Sequence, residues 1–209
     1  HPTSSHAPPT ERPLQGIRIV DLSMGWSGPL AARYCADLGA EVIKVEACQY
    51  PAWWRGWEKT KEWVEERRYE KLPSFNSMNR NKLGITLDLT RKEGADLLKR
   101  LVKDADAVIE NNTSTVLPKL GLDYPHLKEV NPEIIMISMP AFGMASPWSH
   151  HRAYGSTVEQ ASGLPHLNGR AEWPPTQQHV ALGDPVAGIN AAVGLLIALY
   201  HKQQTGEGQ

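Results

Sequence analysis

Ile17-Arg18-Ile19-Val20-Asp21-Leu22, then Met24-Gly25-Trp26-Ser27-Gly28-Pro29, then Glu41-Val42-Ile43-Lys44-Val45-Glu46 are the runs whose reading decides the fold. The first is a short β-branched strand ending at a glycine-containing loop. Pro29 sits where a helix starts, and Leu30, Ala31, Tyr34, Cys35 and Leu38 follow at helical spacing until Gly39. The third run is again a strand. Strand, helix and strand in that order make a βαβ unit, a parallel pair joined by a right-handed crossover.

The pattern recurs downstream. Gly84 to Leu89 reads as a strand, and Thr90-Arg91-Lys92-Glu93 as a capping box opening a helix with Leu97, Leu98, Leu101 and Val102 on one face. Ala105 to Glu110 is the next strand. A short helix over Tyr124 to Val130 precedes a strand over Ile134 to Ser138. Such alternation predicts an α/β fold: a Rossmann-like, doubly wound and mostly parallel sheet.

Two segments stand apart. From Gln49 to Arg80 the periodicity lapses, and Trp53, Trp54, Trp57 and Trp63 are interleaved with charged residues. A stretch this long reads as an inserted helix and loop over a binding face. Its indoles serve either to pack the insertion or to wall a substrate pocket suited to an aromatic or cationic group. Near the end, Leu182-Gly183-Asp184-Pro185 leads into an apolar run reaching His201, which predicts a buried helix with small residues at Gly188, Ala191, Ala192, Gly194 and Ala198. Asp184 is a good N-cap followed by proline at the first helical position. The unpaired N–H groups and dipole there favour its ionised form, and an ionised carboxylate can also be a nucleophile.

Composition narrows the function classes. The 209 residues suffice for one α/β core, assigned to 14–209. Residues 1–13 read as a disordered tail or an expression remnant. With 22 basic against 23 acidic side chains, no global field points to nucleic acid or an anionic membrane. Only Cys35 and Cys48 occur, at no metal or redox spacing, which suits a reducing cytoplasm. The longest apolar run, Ile189 to Tyr200, is short for a bilayer and reads as a core helix.

The obvious nucleotide motifs fail. Glu46 follows Gly25 at about the spacing of a ribose-binding acid. Gly25 and Gly28 alone do not make a G-x-G-x-x-G, however, and Trp26 blocks the approach of a pyrophosphate. There is no P-loop, no G-x-S-x-G elbow, and no metal-ligand spacing around His150-His151. Binding of NAD in that mode and a metal centre are both counter-indicated.

Several segments together resemble one family, the class III CoA-transferases of the CaiB/BaiF type. They are Leu14-x-Gly16-Ile17-Arg18-Ile19-Val20-Asp21-Leu22, Ser27-Gly28-Pro29, Ala36-Asp37-Leu38-Gly39-Ala40-Glu41 to Glu46, Asn79-Arg80-Asn81-Lys82 with Thr86-Leu87-Asp88, and Ala105 to Asn111. Leu120-Gly121-Leu122, Asn131-Pro132, Gln160-Ala161-Ser162-Gly163, Gly183-Asp184-x-x-x-Gly188 and Thr205-Gly206-Glu207-Gly208-Gln209 complete the set. The resemblance runs from about Leu14 to Gln209 and implies acyl-CoA and a small carboxylic acid as partners, with coenzyme A and no metal. It implies Asp184 as the nucleophile that attacks the thioester and then carries acyl and CoA in turn.

By the same resemblance Gly25 and Trp26 line the active site, Trp26 standing where a smaller polar residue suits formyl or oxalyl groups. Tyr154 lies near the acyl group, Arg152 contacts CoA, and Asn111 and Lys119 fall in the nucleotide-binding region. Ala47 replaces a basic residue common after the strand-ending glutamate. A related racemase pairs its aspartate with a histidine whose place here is Tyr154, so transfer is preferred to isomerisation. Family chains run longer, with a second small domain, and form interlocked dimers. A homodimer, or the remaining half of the polypeptide, is therefore the implied protein partner.

Overall fold

The structure, a computed structural model, describes residues 12–209. The expected tail falls outside the described residues as far as Glu11. Arg12 packs so closely on Gly39 that a Cβ there would come within 2.4 Å of it.

Five strands, β1 (Arg18–Asp21), β2 (Glu41–Glu46), β3 (Lys82–Thr86), β4 (Ala107–Glu110) and β5 (Ile135–Ser138), form one sheet. All its pairings are parallel, in the order β3-β2-β1-β4-β5. The helices are α1 (Ser27–Asp37), α2 (Lys61–Glu65), α3 (Pro73–Asn79), α4 (Lys92–Lys103), α5 (Val116–Leu120), α6 (Tyr124–Val130), α7 (Gly155–Ala161) and α8 (Gly183–Thr205).

Period-two alternation sends neighbouring residues of a strand to opposite faces. Ile19, Ala107 and Ile109 join Cys35, Leu195 and Ala198 beneath α1 and α8. Val20 and Val108 join Leu98, Val102, Leu122 and Leu127 beneath α4, α5 and α6. The central strands are therefore covered on both sides, as continuous β-branched strands require, while the edge strand β3 is largely exposed. The winding order of the strands reverses between β1 and β4, and the loops leaving these strands frame the crevice where such folds bind ligands.

Three local expectations are corrected. The capping box does not form: Arg91 is the N-cap without a side-chain bond. Thr90 instead folds back on Asp88, donating through both its N–H (3.0 Å) and its hydroxyl (2.6 Å), because an Asx turn competes for the same groups. The face of α4 is narrower than expected, with Leu98 and Val102 buried and Leu97 exposed.

The third correction concerns α8. It buries Gly188, Ala192, Leu195 and Ala198 against α1 and β5, while Val186, Ile189, Val193, Ile197 and Tyr200 are exposed. At 23 residues it is also longer than the expected run, and long and apolar enough by composition to cross a membrane. Its small residues nevertheless pack as those of a core helix do.

Under the first loop lies a buried ionic cluster. The Asp21 carboxylate is fully buried and meets Lys82 Nζ at 2.8 Å and Lys44 Nζ at 3.8 Å. Lys82 also donates to the Pro29 carbonyl (2.9 Å) and the Asn79 side-chain oxygen (3.0 Å), so all three of its protons are used. Lys44 donates to the Ser23 carbonyl at 2.7 Å, and Ser23 donates its N–H and hydroxyl to Asp21. Burial alone would raise the Asp21 pKa, but the two ammonium groups and the serine hydroxyl hold it at about 2.

A folded pKa below the unfolded one stabilises the protein above the unfolded value, and that stability is lost on acidification. The Asp21 contribution is therefore complete above pH 3.8 and disappears as pH falls toward about 2. In Lys82→Met the carboxylate loses its closest cation. Urea unfolding at pH 7 is expected to show a loss of about 3–5 kcal/mol, and a stable variant with an unchanged acid limb would contradict the pairing.

Candidate active site

The loop Leu22 to Trp26 is shaped by Gly25, whose φ of +73° is in the left-handed region that glycine tolerates. Across the crevice Asn111, just past β4, grips this loop. Its side-chain oxygen accepts from the Met24 N–H at 2.8 Å and its amide donates to the Met24 carbonyl at 2.7 Å. Both ends of the Asn111 amide thus hold backbone, so it clamps the loop from β4.

Beyond the loop, α1 and α8 meet at their N-termini. A Cβ on Gly188 would come within 2.7 Å of the Ser27 carbonyl, so glycine is what lets the two helices approach. The start of α7 joins the same junction. A Cβ on Gly155 would lie 2.4 Å from an Asp184 carboxylate oxygen, and one on Gly183 would lie 2.8 Å from the Gly155 carbonyl.

Asp184 occupies this junction. It is not the N-cap: α8 begins at Gly183 with Leu182 in the cap position, and Asp184 lies in the first turn. Its carboxylate turns away from its own helix and accepts the Gly155 N–H at 3.0 Å. Burial raises its pKa above the usual carboxylate value. The Gly155 N–H and the N–H and hydroxyl of Ser27 favour the charged form without overcoming that burial. The helix N–H groups were expected to favour its ionised form, but desolvation outweighs them in setting the direction of the shift. A half-buried carboxylate beside fixed donors has the makings of a nucleophile whose oxyanion product can be stabilised.

Aromatic rings surround the junction. Tyr154, the residue before Gly155, meets Trp53 edge-on with centroids 5.0 Å apart. Trp53 in turn stands over Gly25, 3.4 Å from where a Cβ would be. Trp26 meets Trp54 edge-on at 6.3 Å, and the Trp54 indole N–H donates to the Gly25 carbonyl at 2.8 Å.

The insertion is thus tied to the first loop by Trp54, and Trp53 stands against Tyr154 and Gly25. Glu46 is not free for a ribose. Arg55 from the insertion donates to both its oxygens (2.7–3.1 Å), and this supplies a basic partner near the strand end where Ala47 does not.

Of the residues singled out from sequence, the structure gathers Asp184, Tyr154, Gly25 and Trp26. Lys119, in the last turn of α5, and Arg152, in the loop before α7, are exposed and form no ion pair among the described residues. Sequence reading gave no role to Gly155, Ser27 or Arg55. The signal for Gly155 was its position after Tyr154, legible only once α7 was known to abut α8. A groove of about 140 Å³ lined by Leu22, Met24, Val45, Leu87 and Asn112 opens at the C-terminal ends of β1 to β3. A second, of about 110 Å³, holds Glu110, Ser114, Tyr124 and Ser138 beyond β4. No metal-ligand cluster occurs among the described residues.

Comparison with known proteins shows the family. The model of CoA-transferase family III matches residues 14–209. A succinyl-CoA–D-citramalate CoA-transferase of Chloroflexus aurantiacus is 37% identical, over 99% of this chain and 49% of its own length. A succinate–glutarate CoA-transferase of Agrobacterium fabrum is 36% identical, over 97% of this chain and 50% of its own length. The crystal structure of a CAIB/BAIF family protein from Brucella suis superposes with a TM-score of 0.83 at 33% identity, covering 95% of this chain and 52% of that one. The chain spans about half the length of the curated relatives it matches.

The raised Asp184 pKa sets a stability prediction. A folded pKa above the unfolded one stabilises below the unfolded value and costs stability as pH rises through the folded value. At neutral pH the ionised carboxylate therefore strains the fold, and Asp184→Asn is expected to hold or raise the thermal midpoint at pH 7 while showing no such gain at pH 3. A lower midpoint at pH 7 would show that the carboxylate is chiefly a structural cap.

Proposed function

This chain belongs to CoA-transferase family III, and from that premise we propose that it moves coenzyme A from an acyl-CoA to a carboxylic acid through covalent intermediates on Asp184. The observation that carries the proposal is the Asp184 carboxylate held by the Gly155 N–H in a half-buried junction of three helix starts. In the first step the carboxylate attacks the thioester carbonyl, the C–S bond breaks, and a mixed aspartyl anhydride and CoA thiolate result. The thiolate then attacks the aspartyl carbonyl, releasing the donor acid and leaving an aspartyl-CoA thioester. The acceptor carboxylate attacks that thioester in turn, freeing the thiolate again. Attack of the thiolate on the acceptor acyl carbonyl then forms the new acyl-CoA and restores Asp184.

Partial desolvation strengthens the carboxylate as a nucleophile, and the N–H and hydroxyl groups around it suit the tetrahedral oxyanions. Gly25 and Trp26 would line the reacting end, Tyr154 would lie near the acyl group, and Asn111 would hold the loop in place. Lys119 and Arg152 are the free cations assigned to CoA phosphates. The remaining sequence of a longer chain, or a second copy, would complete the pocket, in a cytoplasmic setting that accords with two unpaired cysteines. The isomerase alternative has less support, since Tyr154 stands where the resemblance places the racemase histidine.

Intact-mass spectrometry after incubation with acyl-CoA and hydroxylamine tests the proposal, because hydroxylamine captures an activated aspartyl group as its hydroxamate. A mass gain that peptide mapping localises to Asp184, and that Asp184→Ala lacks, is the expected result. No adduct together with exchange of an α-proton in deuterated water would replace transfer by isomerisation.

A further inference from the structure

We infer that Trp53 and Tyr154 form the wall that selects the acyl group, and that this wall favours a bulky apolar acyl chain, branched or aromatic, over a short or dicarboxylic one. The inference rests on Asp184 being the group that takes up the acyl. Whatever carbonyl Asp184 attacks must sit beside Gly155 and Ser27, next to the segment that carries Tyr154. Tyr154 precedes Gly155, whose N–H holds the carboxylate, and Trp53 meets Tyr154 on one edge and overlies Gly25 on the other.

Trp53 is held in place by its neighbours rather than by its own burial. The Ala52 N–H donates to Glu46 at 2.9 Å, Trp54 to the Gly25 carbonyl at 2.8 Å, and Arg55 to Glu46. Residues on both sides of the indole are therefore fastened to the scaffold while the ring itself is 39% exposed; Tyr154 is 59% exposed. An aromatic side chain whose backbone is fixed and whose face is open binds apolar groups at low entropic cost.

The charge on this wall points the same way. On the insertion side of the wall the neighbouring guanidinium, Arg55, is spent on Glu46 and Glu70 and lies over the Phe75 ring at 3.6 Å. A second carboxylate placed against the indole would lose water and gain no cation from the insertion. An apolar chain loses nothing there and gains contact area.

The test is the ratio of kcat/KM values for isovaleryl-CoA and benzoyl-CoA against succinyl-CoA and acetyl-CoA in the intact natural protein. The same acyl-CoAs are titrated against Asp184→Asn as a binding readout that needs no turnover. The expected result is a preference of about tenfold or more for the bulky apolar acyl groups. It should collapse in Trp53→Ala, be partly kept in Trp53→Phe, and persist in Trp63→Phe, whose ring packs on Gly56 within the insertion. A preference for succinyl-CoA, or a Trp53→Ala effect equal for all four substrates, overturns the inference. If the preference appears in binding but no acyl group is ever captured on Asp184, the wall stands and the nucleophile reading falls.

Discussion

Asp21 carries a full charge into the interior at the C-terminal end of the central strand, where two lysine ammonium groups compensate it. Its consequences reach the site through one loop. The carboxylate fixes Ser23, Lys44 fixes the Ser23 carbonyl, and Lys82 joins β3 to the first turn of α1 through the Pro29 carbonyl. A buried ion pair is a poor source of net stability, since desolvation offsets most of the attraction. What it contributes here is position: one acid and two bases lock a loop, a helix start and an outer strand in a single arrangement. Gly25 and Trp26 stand on that loop.

The frame was legible because its signals are redundant. β1 and β2 are β-branched and largely buried, and Gly25, Pro29 and Gly39 punctuate the turns around α1, so β1, α1, β2 and α6 lie within a residue or two of their predicted bounds, whereas the exposed edge strand β3 forms at Lys82–Thr86 rather than from Gly84 to Leu89. Asp184 was legible through its motif. Its environment was not, because a glycine at the start of α7 supplies its N–H and the surrounding bulk reverses the expected shift.

Other misreadings share a cause. Thr90 follows a capping pattern, yet Asp88 outbids the helix for its hydroxyl. An apolar surface all round α8 fixes the helix but not which face is covered. Lysines on strands read as solvent-facing, so the inward turn of Lys44 and Lys82 left no trace in the pattern. The two bonds from Asn111 to Met24 were likewise invisible, because they join residues far apart in the sequence.

The clamp between Met24 and Asn111 also has a meaning in time. It joins residues 87 positions apart, and the Arg18 N–H to Asp106 bond on the same pair of strands spans 88. The entropy of closing a chain segment rises with its length, so contacts of this separation are made after the local βαβ unit has formed. The crevice between β1 and β4 is therefore a late product of folding, whereas the β1–β2 pair beside it is an early one. The same ordering, run backwards, describes fluctuation of the native protein, with amides at the seam around Met24 exchanging with solvent ahead of those in the sheet core.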